Sequence, residues 1–262
     1  MKKILFALLF LVGFVVNAQE NKSIVYDENA QQRKVPSFTA ISVSSAIDLY
    51  LTQSNKNAVA VSASNDEIRD HIVTEVVGGT LIIRLGDRDR KWMSWKKWGN
   101  YKTKAYVSIQ DINALTASGA SNVHLVNTIE SPKMRIKLSG ASDFKGNIKA
   151  GVLMYQLTGA SDYKGEISAN SIDIDGSGAS SIELIGKVDD LAIEVSGAST
   201  AKLYNLTAKG AILRASGASN IGVTVTEILR ANSSGASDIN YKGNPTVKES
   251  NTSGASSIRR RN

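Results

Sequence analysis

From residue 111 onward, polar and apolar residues alternate, and the alternation is broken at regular intervals by glycine. Eight Ser/Thr-Gly-Ala-Ser tetrapeptides mark the breaks. They begin at Ser118, Ser139, Thr158, Ser177, Ser196, Ser216, Ser234 and Ser253, at spacings of 21, 19, 19, 19, 20, 18 and 19 residues. Aligned on the glycine, the position four residues earlier holds Leu115, Ile136, Tyr155, Ile174, Ile193, Leu213, Ala231 and Ser250. The position two earlier is small or apolar in most copies, and the one between is polar: Thr116, Lys137, Gln156, Asp175, Glu194, Arg214, Asn232 and Asn251. Four residues past the glycine stand Val123, Phe144, Tyr163, Ile182, Ala201, Ile221, Ile239 and Ile258. Period-two alternation marks a strand with one buried face. Each repeat therefore predicts a strand, a corner, a second strand and a return segment.

The corner glycines are Gly119, Gly140, Gly159, Gly178, Gly197, Gly217, Gly235 and Gly254. Each is expected in a backbone conformation that a Cβ penalises. The alanine fits a cramped inner side of the corner, and the hydroxyls bond the bent backbone locally and line up from coil to coil. Coils of about 19 residues stack in parallel at roughly 4.8 Å each, giving a rod of roughly 40 Å. Parallel crossovers are right-handed. The fold predicted is thus all-β, a right-handed parallel β-helix or solenoid of about eight coils; the alternative is a β-prism-like or sandwich arrangement of antiparallel repeats. In the last two coils the inward positions become Ala231, Ser233, Ser250 and Thr252, so this end is the least stable. Arg259, Arg260 and Arg261 place charge there, which opposes end-to-end stacking.

Residues 33–110 lack the tetrapeptide but keep strand patterning and read as a non-uniform N-terminal β cap, as terminal repeats require. Ile41 to Leu51 is a degenerate copy with Ser45 in the glycine place and Ala46 retained. Asn65 caps a short helical turn through His71, and Gly78-Gly79 joins Val73–Val77 to Thr80–Leu85 in a hairpin.

Composition bears on the compartment. Lys2 and Lys3, the apolar run Ile4 to Val16 and the small residues Val16-Asn17-Ala18 have the layout of a signal peptide over residues 1–18. The run is shorter than the roughly 20 residues a spanning helix needs, and no later stretch is long and apolar enough to cross as a helix. Residues 19–32 form a polar leader. The expected location is the periplasm, the outer membrane's surface or the medium. Without residues 1–18 the chain carries 29 basic and 24 acidic side chains, a mildly basic balance suited to anionic surfaces or glycans. No nucleic-acid motif is present. There is no cysteine and only two histidines, His71 and His124. Thiol chemistry and Cys-based metal sites are excluded, and no cofactor is implied.

The segments Phe38-Thr39-Ala40-Ile41, Ala46-Ile47-Asp48-Leu49-Tyr50-Leu51, Gly79-Thr80-Leu81-Ile82-Ile83 and Ala105-Tyr106-Val107-Ser108-Ile109 lead through Leu115 into the first tetrapeptide. Together with the repeats they resemble the putative auto-transporter adhesin, head GIN domain family, over about residues 33–258. The resemblance implies an exported β-helical domain and no enzymatic activity. The chain departs from an autotransporter in having no segment left for a transmembrane barrel, since residues 111–262 are taken up by the solenoid.

The stretch that does not repeat is Arg88 to Lys104. It holds Trp92, Trp95, Trp98 and Tyr101 among Lys96, Lys97 and five further basic residues. Tryptophan beside lysine suits stacking on sugars, anionic glycans or lipid head groups; the competing reading packs the aromatics on the cap. The expected partners are a glycan, peptidoglycan or another anionic envelope component, or a second copy of the chain. Asp143 and Asp162 fall in neighbouring coils but are too few for calcium, and their column reads as an Asx/Ser turn ladder. Asp175 and Glu194 are neighbouring carboxylates, as a glycosidase requires. Their column, however, mixes signs and reads as cross-coil charge pairs. Three functional classes follow: an adhesin-like binding or envelope scaffold protein, a self-assembling structural protein, and, least favoured, a carbohydrate-active enzyme.

Overall fold

The alternating segments form strands that pair in parallel with the copy one coil away. The computed structural model describes residues 27–86 and 101–262. Before the first tetrapeptide lie β1 (Gln31–Arg33), β2 (Ala40–Val43), β3 (Ile47–Gln53), β4 (Ala58–Ala63), helix α1 (Asp66–Asp70), β5 (Ile72–Val77), β6 (Thr80–Leu85) and β7 (Thr103–Ile109). The repeats supply β8 (Ala114–Ala117), β9 (Val123–Leu125), β10 (Ile129–Leu138), β11 (Asp143–Lys145), β12 (Ile148–Leu157), β13 (Asp162–Gly176), β14 (Ser181–Val195), β15 (Thr200–Ala215), β16 (Asn220–Ser233), β17 (Asp238–Lys242), β18 (Thr246–Thr252) and β19 (Ser257–Arg260). From β13 to β16 a single strand runs from one corner to the next, so the return segment is itself part of the ladder. The result is a β-solenoid of stacked parallel coils with one continuous core. Its inward columns run without a break through Leu115, Ile136, Tyr155, Ile174, Ile193 and Leu213, all buried.

The corners behave as expected at glycine and differently at alanine. Every tetrapeptide glycine has a positive φ, from 62° to 83°. From Ala160 onward, the alanine N–H donates to the preceding coil's glycine carbonyl, as in Ala179 to Gly159 at 2.8 Å. That carbonyl stands directly beneath the next glycine. Contrary to expectation, the alanine lies on the outside: Ala141, Ala160, Ala179 and Ala198 are exposed, whereas Ser142, Ser161, Ser180 and Ser199 are buried. A hydroxyl belongs inside because the turn leaves a carbonyl to satisfy there. Ser142, Ser161 and Ser180 Oγ each donate to the carbonyl three residues earlier at 2.9 Å. Other corner hydroxyls also reach the neighbouring coil, as Ser237 does by donating to the Ala215 carbonyl at 3.0 Å and Ser256 to the Ser233 carbonyl at 2.8 Å.

Two aromatic layers are accommodated by missing side chains. Phe144 meets Tyr163 edge-on at 4.9 Å, and Tyr155 lies tilted against Tyr163 at 4.9 Å. Gly146 and Gly165 stand two residues past these rings, where other coils carry Leu125, Leu184 and Leu203. A Cβ on Gly165 would fall 1.9 Å from the Gly146 carbonyl oxygen. The backbone closes in where the rings fill the interior, which keeps the core at solid density.

At the N-terminal end, the degenerate copy is a full coil. β2 lies between β6 and β8, and β3 between β7 and β9, all parallel. Ser45 occupies the glycine place at φ 68°, followed by Ala46 at 58°. The chain then leaves the stack and returns, and β6 and β7 form a further layer on the far side of this coil. β4 and β5 add antiparallel strands to β7 and β6, and β1 adds to β4. The end of the expected leader is therefore an edge strand. Asn65 caps α1 by accepting from Ile68 N at 2.9 Å, and Gly78-Gly79 closes the β5–β6 hairpin with both φ angles positive. At the other end, β18 is exposed along most of its length, and Val247, in register with the buried Leu229, is 43% exposed. Burial fades there because Ser250 and Thr252 replace apolar residues.

Candidate functional site

Seventeen residues separate β6 from β7 in the chain, against three between β2 and β3. β6 and β7 flank β2 and β3 in register, so Gly86 and Lys102 stand beside the two ends of the Ser44-Ser45-Ala46 corner of the adjacent coil. The chain departs at Gly86, whose N–H donates to the His71 carbonyl at 2.9 Å. It re-enters at Lys102, which exchanges bonds with Ser64: Lys102 N to Ser64 Oγ at 2.8 Å and Ser64 N to the Lys102 carbonyl at 3.1 Å. Tyr101 is 37% exposed beside this stem. Trp92, Trp95, Trp98, Lys96 and Lys97 lie outside the described residues, as do the expected signal segment 1–18 and the leader as far as residue 26.

Below the stem runs an aromatic column that the repeat alignment did not single out. Tyr106, Tyr50 and His124 lie in register on the outward side of β7, β3 and β9, their rings stacked at 5.3 and 5.1 Å. The signal was available: Tyr106 stands as far into β7 as Tyr50 stands into β3. Over this column sits Asp27. Its Oδ1 accepts from Ser62 Oγ at 2.6 Å, and its Oδ2 accepts from Lys104 Nζ and the Tyr106 hydroxyl, each at 3.0 Å. Burial acts to raise the carboxyl's pKa, but the three donors outweigh it and hold the group below its ordinary 3.8. The bond to Asp27 raises Lys104 in turn, and burial raises Tyr106. A carboxyl lowered by folding contributes stability that is present above its ordinary value and is lost as pH falls through the folded value. The side chain is about one-third exposed, so the contribution is about 1 kcal/mol or less. The amide shifts of Ala60 and Tyr106 are expected to titrate below pH 3.8, and in Asp27→Asn not to titrate.

The remaining candidates are held apart on flat surfaces. Asp143 and Asp162 face each other in register. In their column Asn122 donates to Asp48 at 2.8 Å and Ser257 bonds Asp238, so these side chains bond across coils and not in local turns. Asp175 and Glu194 are register neighbours on exposed strand positions. Among the described residues the expected charge pairs of that column do not form: no ion pair involves Lys137, Asp175, Glu194 or Arg214. A shallow groove of about 310 Å³ runs past Glu194, Arg214, Asn232 and Asn251 without reaching Asp175.

A stack of parallel coils around one continuous core defines a β-solenoid. The chain belongs to the family described as putative auto-transporter adhesin, head GIN domain, whose model matches residues 37–245. No curated protein matches it. Among solved structures it resembles a putative adhesin from Parabacteroides merdae (TM-score 0.76, 13% identity, covering 89% of this chain and 95% of that one). It also resembles a putative lipid binding protein from Parabacteroides distasonis (TM-score 0.70, 24% identity, covering 90% and 98%). A putative adhesin from the same species is similar as well (TM-score 0.72, 20% identity, covering 88% and 96%). At these identities the likeness is one of fold.

Proposed function

We propose that this chain is an exported, non-enzymatic binding protein. The solenoid is its rigid support, and Arg88–Lys104, with Trp92, Trp95, Trp98, Tyr101, Lys96 and Lys97, is its contact segment for a glycan, peptidoglycan or another anionic envelope component. The observation that carries the reading is the in-register placement of β6 and β7 beside β2 and β3, which fixes both ends of the segment where the adjacent coil turns in three residues. A departure of this length from a compact ladder is characteristic of binding loops. Its composition pairs aromatic faces with cations, which hold sugar rings and anionic groups. The family's adhesin description and one neighbour's lipid-binding description agree with a binding role. The neighbouring carboxylates Asp175 and Glu194 share an exposed strand face, and the groove beside Glu194 does not reach Asp175, which favours binding over catalysis.

The test is a glycan array and a peptidoglycan pull-down with the protein and its Trp92→Ala/Trp95→Ala/Trp98→Ala variant. At about 1 kcal/mol for each stacked ring, the variant is expected to bind at least about tenfold more weakly with an unchanged circular dichroism spectrum. Equal binding by the folded variant would overturn the assignment. Fractionation of the producing cells tests export: recovery of the chain in the cytoplasm at full length rejects it.

A further inference from the structure

The outward face of the strands that enter the corners carries its charge in bands across the rod. Lys133, Arg135 and Lys137 occupy one coil, all exposed. The next coil places Val152, Met154 and Gln156 in register with them. One coil further, Ser171, Asp173 and Asp175 follow in the same register, and then Asp190, Ala192 and Glu194. The basic and acidic bands are thus two coils apart, about 10 Å, with a neutral coil between. That is too far for the two bands to pair with each other, and among the described residues no ion pair involves any of these seven charged side chains. Within each band like charges crowd together, Asp175 directly opposite Glu194, an arrangement that costs stability in an isolated sheet.

We infer that this face is a self-complementary interface between two copies of the chain, packed with their rods antiparallel about a two-fold axis along the Val152–Gln156 strand. The axis follows from the register. Reversal of the rod about that strand lays Arg135 over the partner's Asp173 and Lys137 over the partner's Asp175. The same contacts recur with the roles exchanged, as an isologous interface requires. Val152 and Met154 meet their own copies at the centre, where Val152 is 37% exposed. One coil beyond the acidic band, Ile212, 38% exposed, falls over the partner's Ala40. Packing with the rods parallel instead sets the basic band on itself. The face is about 20 Å wide and nearly 40 Å long at ordinary strand spacings, so it offers roughly 700–800 Å² per copy, the area of a standard specific interface.

Sedimentation of the purified protein reads this directly. A dimer is expected that weakens as salt is raised to about 1 M, where the Debye length falls to about 3 Å. Arg135→Glu/Lys137→Glu and Asp173→Lys/Asp175→Lys are each expected to be monomeric, with dissociation constants raised at least about tenfold. These side chains are exposed on regular strands, so each variant keeps the circular dichroism of the parent. Mixing the two variants is expected to restore a one-to-one dimer, because one then presents two acidic bands and the other two basic bands. A parent protein that remains monomeric at roughly 0.1 mM in low salt would sink the proposal. So would a dimer that survives both reversals, or a pair of variants that fails to associate on mixing.

Discussion

Gly178→Ala is expected to destabilise the solenoid by about 3 kcal/mol or more, while two other glycine substitutions separate the causes. Gly178 has φ +83°, and a Cβ there would stand 2.5 Å from the Gly159 carbonyl oxygen. The left-handed conformation costs an alanine about 1–2 kcal/mol. The contact adds more, because the struck atom is backbone that already accepts from Ala179 N at 2.8 Å. Neither coil can yield without lengthening that bond and disturbing its neighbours in the stack. Gly79→Ala isolates the first cause: φ is +76° and nothing lies within 4 Å of the added carbon, so a loss of about 1 kcal/mol is expected. Gly210→Ala carries neither burden. Its φ lies outside the left-handed region, and the nearest atom is the Asp190 carboxylate oxygen at 3.3 Å, on an exposed side chain that can swing away. It is expected to be neutral or mildly stabilising, since alanine loses less backbone entropy on folding. Urea denaturation of the three variants checks the order. A Gly178→Ala loss no larger than that of Gly79→Ala would show that close stacking does not fix the motif.

That result bears on how the repeat is read. The strand columns on either side of each corner follow from alternation, and Ile136, Ile174 and Ile193 are buried as it requires. The corner interior was misjudged because size pointed to alanine. Counting by twos from Leu138 through Gly140 would have reached Ser142, which is buried, and passed Ala141, which is exposed. The coil around Ser45 was legible as a copy. Its place next to the Gly119 coil was not, because β2 pairs with β8 across more than 70 residues and nothing local encodes that. The same excursion fixes where Arg88–Lys104 is attached. Composition picks out the segment, whereas only the pairing of β6 and β7 with β2 and β3 reveals where its two ends lie. Asp27 escaped for a related reason: its three donors come from positions 62, 104 and 106, which converge only when β4 lies against β7. In the charged column Glu194 and Arg214 do stand one coil apart without an ion pair among the described residues, whereas Lys137 and Asp175 stand two coils apart.

Tyr155→Phe is expected to cost about 1–3 kcal/mol, and the double variant Tyr155→Phe/Tyr163→Phe less than the sum of the single changes. Both rings are in the core, and the Tyr155 hydroxyl donates to the Tyr163 hydroxyl at 3.1 Å. Burial raises both phenols above the ordinary 10, so the pair stays neutral in the folded chain and makes stability pH-dependent only above that value, where the unfolded phenols ionise and stability falls. Removing one hydroxyl takes a partner from the other and leaves a buried polar group underbonded. Removing both leaves an apolar layer of nearly the same volume, with the edge-on contact of residue 163 on Phe144 retained. The measurement is a double-mutant cycle in urea, and a coupling energy of about 1 kcal/mol or more between the two sites is expected. Strict additivity would mean that water reaches these hydroxyls, and that the coils narrowed at Gly146 and Gly165 are looser in solution than their spacing implies. The contrast with the last coil sharpens the point. Val247→Ala is expected to cost under about 1 kcal/mol because that side chain is already 43% exposed. The stability of the rod is then concentrated in its middle coils, which hold in one rigid body the stem of the aromatic-basic segment and the banded face.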